Sequence, residues 1–313
     1  MHKILNKQGF TLAEVLITLS IVGVIAAMTM PTLINNIKFH TYDNAKRKIL
    51  NSVGEAGRLL AIEGEITGAA NAEDFVKNRL ATKLSIAKMC DAEHLTDCGL
   101  PAKFFKTDSK TEVSMPAKLT EIAPDNLSTV GTDGTKSYSV LQGYGFVTAN
   151  GYSVNLFYNG ACEPEKNADY YYTQDNICFS AIYDMNGLRG PNVLGKDIGL
   201  LGLFYPNESA RAVAVLPADY DYSSLGRGQK RTSETFYNAQ KKCDSQFGKD
   251  YRMPDRDEIA LIGLNGKAVG IVDNTYWSSS LAKSSLAWRH GIGYGNRSAQ
   301  SVNQDWHVRC VRR

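Results

Sequence analysis

The sequence is poor in the groups that catalysis needs. Its five histidines, His2, His40, His94, His290 and His307, are scattered along 313 residues. None lies in a His-Glu-x-x-His helix, a nucleophile elbow or a phosphate-binding glycine loop. His290 and His307 would face each other on neighbouring strands, but no third ligand or nucleophile joins them. The charge run Asp255-Arg256-Asp257-Glu258 reads as a helix start rather than an acid–base pair. The chain is therefore expected not to be an enzyme. Excess charge of one sign is scarce too. A net charge of +3 is too small to argue for nucleic acid. The basic ending, Arg309, Arg312 and Arg313, reads as solvated. There is no Cys-x-x-Cys, which disfavours a metal site for Cys90, Cys98, Cys162, Cys178, Cys243 and Cys310. Six cysteines allow fifteen pairings. Chain order suggests the neighbour pairs Cys90–Cys98, Cys162–Cys178 and Cys243–Cys310, and export would favour disulfides.

What the sequence does have is an apolar start. Lys3 and Lys7 precede a run from Val15 to Ile34 whose only polar side chains before its Asn35-Asn36 end are Thr18, Ser20, Thr29 and Thr32. As a helix such a run rises about 30 Å, the hydrocarbon thickness of a bilayer. A basic segment before an apolar run suits a secretory signal. Yet no small-x-small cleavage site follows the run. Gly9-Phe10 stands before it instead, and a carboxylate, Glu14, lies at its head, where lipid would penalise an unpaired charge.

Gly9-Phe10-Thr11-Leu12-Ala13-Glu14 resembles the prepilin signature of type IV pilins and type II secretion pseudopilins, and Pro31 matches a proline that many pilins carry. The resemblance implies cleavage by a prepilin peptidase between Gly9 and Phe10, with Phe10 becoming the N-methylated terminus. It implies other pilin subunits and the inner-membrane assembly platform as partners. The chain would be a single-pass membrane protein first and part of an extracellular or periplasmic filament later. Glu14 has a natural partner there: the amine of Phe10 on a neighbouring subunit, a pair that would set register in an apolar bundle. The alternative is that Glu14 serves only the N-terminus of its own helix.

Phe39, Tyr42, Ala45, Ile49, Val53, Ala56 and Leu60 keep the three-and-four spacing of an amphipathic helix. The spacing predicts one helix from the apolar run to about Glu63, stopped by Gly64, some 80 Å long and kinked at Pro31. Residues 72–87 read as one or two short helices, and 106–135 as a polar, turn-rich stretch. Strands follow at 138–141, 145–148 and 152–157, the last two joined by Asn150-Gly151, a strong hairpin signal. Further strands are read at 179–183 and 200–205, with 212–217 as a link. Asp184-Met185-Asn186-Gly187, Gly190-Pro191-Asn192 and Gly195-Lys196-Asp197 resemble the segment that closes the sheet in many pilin-like proteins. Two readings of it stand. Asp and Asn side chains cap tight turns, or Asp184, Asn186 and Asp197 offer hard oxygens to Ca²⁺. Some pseudopilins hold calcium in a C-terminal loop, but no alignment places these residues on that site. Ca²⁺ is the one cofactor under consideration.

The last hundred residues differ in character. Residues 232–247 read as an amphipathic helix, and Asp255 with Glu258 three residues on resembles a capping box. Tyr251-Arg252-Met253-Pro254-Asp255 through Glu258-Ile259, then Tyr276-Trp277-Ser278-Ser279-Ser280, then Val308-Arg309-Cys310-Val311-Arg312 resemble the C-terminal domain of bacterial collagen-like adhesins. Those domains are taken to be C-type-lectin-like. In that fold a first-helix cysteine bonds to the last strand, as Cys243–Cys310 would. The Glu-Pro-Asn or Gln-Pro-Asp motif of calcium-dependent lectins is absent, so sugar binding by that route is not implied. Trp277, Trp288 and Trp306 read as core. Gly291–Ser301 reads as an exposed loop, with Tyr294, Asn296 and Arg297 as the candidate ligand surface for a glycan or protein receptor.

The expected architecture is α+β: a long transmembrane and amphipathic N-terminal helix packed on an antiparallel pilin-like sheet, then a C-type-lectin-like α+β domain. The divisions are 1–9 leader, 10–64 helix (membrane part 15–34), 65–215 head and 216–313 lectin-like domain. The function implied is a structural subunit, minor or tip, of a type IV pilus or type II secretion pseudopilus. The alternative is a surface adhesin that works through its last domain.

Overall fold

A computed structural model describes residues 11–91, 95–105, 112–114, 129–130, 136–137, 143–164, 171–172, 176–205, 210–218, 235–265, 275–291, 296–304 and 306–312. The chain divides into two units, Met1–Ala45 and Lys46–Arg313. Helix α1 spans Leu12–Ile62 and Pro31 lies inside it.

In the first unit, Leu12–Pro31 is long and apolar enough to cross a membrane, and none of it is buried. Its few hydroxyls are satisfied within the helix. Thr18 donates to the carbonyl of Val15 at 3.0 Å, Ser20 to Leu16 at 2.8 Å and Thr29 to Ile25 at 2.9 Å. Such back-bonding hides polar groups that an apolar surrounding would otherwise penalise.

The second unit is built on a six-stranded antiparallel sheet whose strands follow chain order. They are β1 (Ile86–Cys90), β2 (Gly143–Thr148), β3 (Ser153–Tyr158), β4 (Ile177–Asp184), β5 (Ile198–Phe204) and β6 (Arg211–Val215). The Asn150-Gly151 hairpin joins β2 to β3, with Gly151 at φ 84°. In β3, β4 and β5 every residue is buried, because both faces of the sheet are covered. Alternation along β5 shows how. On one face a Cβ at Gly57 of α1 would sit 2.4 Å from the side chain of Leu203. Only glycine lets the helix lie so close there. On the other face Leu200 and Phe204 join a core with Ile259, Leu261, Ile262 and Leu264. Helix α1 ends as expected: Ile62 is its last residue, and Gly64 takes φ 72° just beyond it.

Those last core residues belong to the C-terminal part of the chain. It contains α2 (Phe236–Phe247), α3 (Arg256–Leu264), β7 (Thr275–Lys283), β8 (Leu286–Gly291), β9 (Asn296–Ser301) and β10 (Cys310–Arg312). Helix α3 carries the expected Asp255/Glu258 capping box. The division expected at 215/216 is spanned by packing. Residues 46–313 form one compact unit, and Leu200, Val215, Ile259 and Val311 share a core. Strand pairing crosses the same point where Tyr171–Tyr172 adds to β9, while Pro217–Ala218 adds to β10 within the C-terminal part. A second core gathers Phe236, Ala239, Trp277, Ala287 and Val308 around Cys243 and Cys310. Trp277 is fully buried there, edge-on to Phe236 at 5.6 Å.

In the six-stranded sheet two strands differ from the sequence reading. Residues 84–90 complete a helix–strand unit rather than a helix, and 211–215 form β6 rather than a link. The strand read at 138–141 and most of 106–135 lie outside the described residues.

Candidate functional site

Gly9 and Phe10 lie outside the described residues. The first described turn shows what Glu14 does within its own chain. The Thr11 backbone N–H donates to Glu14 Oε2 at 2.9 Å, the Thr11 hydroxyl donates to the same oxygen at 2.8 Å, and the Glu14 N–H donates to Thr11 Oγ1 at 3.3 Å. Thr11 stands just before the helix and Glu14 three residues on, so the pair is a reciprocal capping box. The Thr-x-x-Glu spacing at the head of an apolar run is the sequence signal of this cap. The cap gives the glutamate a fixed position at the head of an apolar rod.

The three disulfides join Cys90 to Cys98, Cys162 to Cys178 and Cys243 to Cys310, the neighbour pairs of chain order. The last ties α2 to β10 across 67 residues. Replacing Cys243 and Cys310 together by alanine should lower stability by about 4 kcal/mol on chain-entropy grounds. That corresponds to a fall in melting temperature of roughly 10 °C, read by circular dichroism on the oxidised protein.

Asp184, Asn186 and Asp197 come together in the turn between β4 and β5. Asp197 accepts from the N–H groups of Asn192 at 2.8 Å and Val193 at 2.6 Å, and from Asn186 Nδ2 at 3.2 Å. Asp184 Oδ1 accepts from the Asn186 N–H at 2.9 Å. This much is turn chemistry. Both aspartates are fully buried. Burial first, and Asp197 alongside, push the Asp184 carboxyl up to about 8, against the pull of the Asn186 and Gly187 N–H groups. Among the described residues no group of three or more His, Cys, Asp or Glu is placed to hold a metal ion.

The expected ligand surface needs correcting. Residues 296–301 are not an exposed loop but strand β9, paired with β8 along its length. Arg297 is fully buried. Its guanidinium reaches Asn176 Oδ1 at 3.0 Å and Asp257 at 3.4 Å. A charge beneath a sheet with fixed partners is a structural tie, not a free recognition group. Asn296 opens β9, and Tyr294 lies outside the described residues. Arg309 and Arg312, read as solvated, are also buried, because β10 runs between two neighbours in a three-stranded sheet. His290 is fully buried, and burial with Arg297 nearby lowers it to about 3, so it stays neutral. The pairing imagined for His290 and His307 does not form directly. His307 bridges to Tyr276, which stands opposite His290 on β7.

Asp257 is the residue that sequence reasoning missed. It accepts ion pairs from Arg211, next to β5, from Arg256 at 3.4 Å and from Arg297 at 3.4 Å. Those arginines come from three different elements. Only the charge run around it hinted at its place.

Residues 4–30 match the family model of the prokaryotic N-terminal methylation motif. The chain therefore carries the prepilin-type cleavage and methylation segment found in type IV pilins and pseudopilins, followed by an apolar helix and antiparallel sheets. The match covers that segment and not the head. No curated protein matches the chain.

Proposed function

We propose that this chain is a minor or tip subunit of a type IV pilus or a type II secretion pseudopilus, cut after Gly9 and N-methylated at Phe10. The observation that carries the reading is the methylation motif at 4–30 running straight into an unburied apolar helix capped by Thr11 and Glu14. Cleavage removes the basic leader and leaves the helix attached. The subunit then stays in the bilayer until it is drawn into a bundle of like helices. In that bundle the Glu14 carboxylate meets the methylated amine of Phe10 on the next subunit and fixes the stacking register.

The minor or tip position is supported by bulk. Beyond β6 the chain continues for about a hundred residues, of which α3 and Val311 pack onto the sheet, and this added mass enlarges every copy. The C-terminal part is, on this reading, a C-type-lectin-like module. The link from α2 to the last strand through Cys243–Cys310, the antiparallel β7–β8–β9 pairing and the buried Trp277 favour it. Its display function depends on the whole head, since the two parts share a core.

Immunogold labelling of isolated filaments with antibody to the head tests the position. Gold confined to filament ends, or sparse along them, is the expected result. Dense, regular labelling along the whole length contradicts the minor or tip assignment.

A further inference from the structure

The start of α3 borders an open cleft of about 270 Å³. Its walls come from three elements: Arg211 from β6, Asp255 and Arg256 from the head of α3, and Ser280 with Leu281 from β7. β6 belongs to the six-stranded sheet, and α3 and β7 belong to the C-terminal part. The cleft therefore exists only in the whole head.

The charges around it do not cancel. Arg211, Arg256 and Arg297 all converge on one carboxylate, Asp257. Asp255 turns Oδ1 to the N–H groups of Asp257 and Glu258, at 3.0 and 2.8 Å. Glu258 is matched separately, by both terminal nitrogens of Arg252. Three guanidinium groups thus face two carboxylates, and one positive charge is left over. Two donors are available to a ligand. The Arg211 side chain is 52 % exposed, and Asp257 is its one partner among the described residues. A guanidinium carries five N–H groups in a planar fork, so Arg211 keeps donors for a second acceptor. Ser280 Oγ accepts from the Arg256 N–H at 3.1 Å, which leaves the Ser280 O–H to donate. Arg256 lies over the Trp288 ring at 5.6 Å, which fixes the guanidinium and covers that indole. Leu281, 51 % exposed, supplies the single open apolar wall.

This lining selects its ligand. The volume falls just below the roughly 300–1,000 Å³ of clefts that take drug-sized ligands, so the occupant is small. One surplus positive charge matches a monocarboxylate better than a phosphate dianion. A free amino acid would bring an ammonium group, and both carboxylates here are already engaged. An apolar acid would meet mostly polar walls. A sugar acid has a carboxylate for Arg211, hydroxyls for Ser280 and Asp255, and a C–H face for Leu281. We propose that this cleft binds a hexuronic acid residue, with Arg211 holding its carboxylate. The proposal rests on the head alone, so it stands or falls apart from the reading of the N-terminal segment.

The test is isothermal titration calorimetry of the full chain in detergent with D-glucuronate, beside D-glucose and inorganic phosphate. One glucuronate per chain is expected, with a Kd in the range of roughly 1–10 mM, as suits so small a ligand. Glucose and phosphate should each bind about tenfold or more weakly. Arg211→Ala should weaken glucuronate about tenfold, the loss of one charge-assisted pair. Leu281→Glu puts a repelling carboxylate at the mouth without touching the arginines, and should also abolish binding. It decides the matter if Arg211→Ala lowers the melting temperature. No heat at about ten times the expected Kd would overturn the proposal. Equal binding of glucose, equal binding of phosphate, or undiminished binding by Leu281→Glu would do the same.

Discussion

Glu14→Ala is expected to leave the head folded and the precursor processed, while incorporation into filaments falls by roughly tenfold or more as an unmatched terminal amine is left in the bundle. The measurement is the amount of the chain in sheared filaments relative to the membrane fraction. Alanine alone would not identify the cause, because the same side chain caps its own helix through Thr11. Glu14→Gln separates the two roles. Glutamine fits the capping box as well as glutamate does, but it carries no charge to meet a neighbouring amine. The inter-subunit account expects both variants to remain in the membrane. If Glu14→Gln assembles normally and Glu14→Ala does not, the local cap is the function of this residue and the charge pairing is wrong.

The second large effect concerns the head alone. Asp257→Ala should destabilise it by about 3–5 kcal/mol, since it strands the buried Arg297 guanidinium without its carboxylate. The melting temperature of the processed chain should fall by roughly 10 °C. The cost is high because Asp257 is 5 % exposed and receives arginines from three elements, among them the fully buried Arg297. Asn176 still accepts from Arg297, which keeps the loss short of a fully isolated charge. A melting temperature within a degree or two of the unaltered protein would mean that solvent reaches Arg297. The two variants should behave oppositely. Glu14→Ala alters assembly and not head stability, and Asp257→Ala does the reverse.

Local signals in the chain were readable where one residue type has one physical use. The apolar run, the Asn150-Gly151 turn, Gly64 after α1 and the Asp255/Glu258 cap each follow from backbone or solvation rules, and each needs only near neighbours. The strands β1 and β6 were not readable. Ile86-Ala87-Lys88-Met89-Cys90 and Arg211-Ala212-Val213-Ala214-Val215 are short, rich in alanine and basic residues, and lie at the two edges of the sheet. Edge strands are half-covered, so their sequences need little alternation. The buried place of Arg297 was hidden for another reason. Glycines around it suggested a loop, whereas the partners that hold it, Asp257 and Asn176, lie 40 and 121 residues away in sequence. Long-range pairing of this kind leaves no periodic trace. The shared core of Leu200 and Ile259 likewise depends on contacts that no local pattern encodes.

Mass spectrometry of the N-terminal peptide from filament-associated protein tests the central claim most directly. The account predicts a chain beginning at Phe10 with one added methyl group on its amine, and no trace of residues 1–9. A chain that still begins at Met1, or one cut beyond the apolar helix, would contradict it.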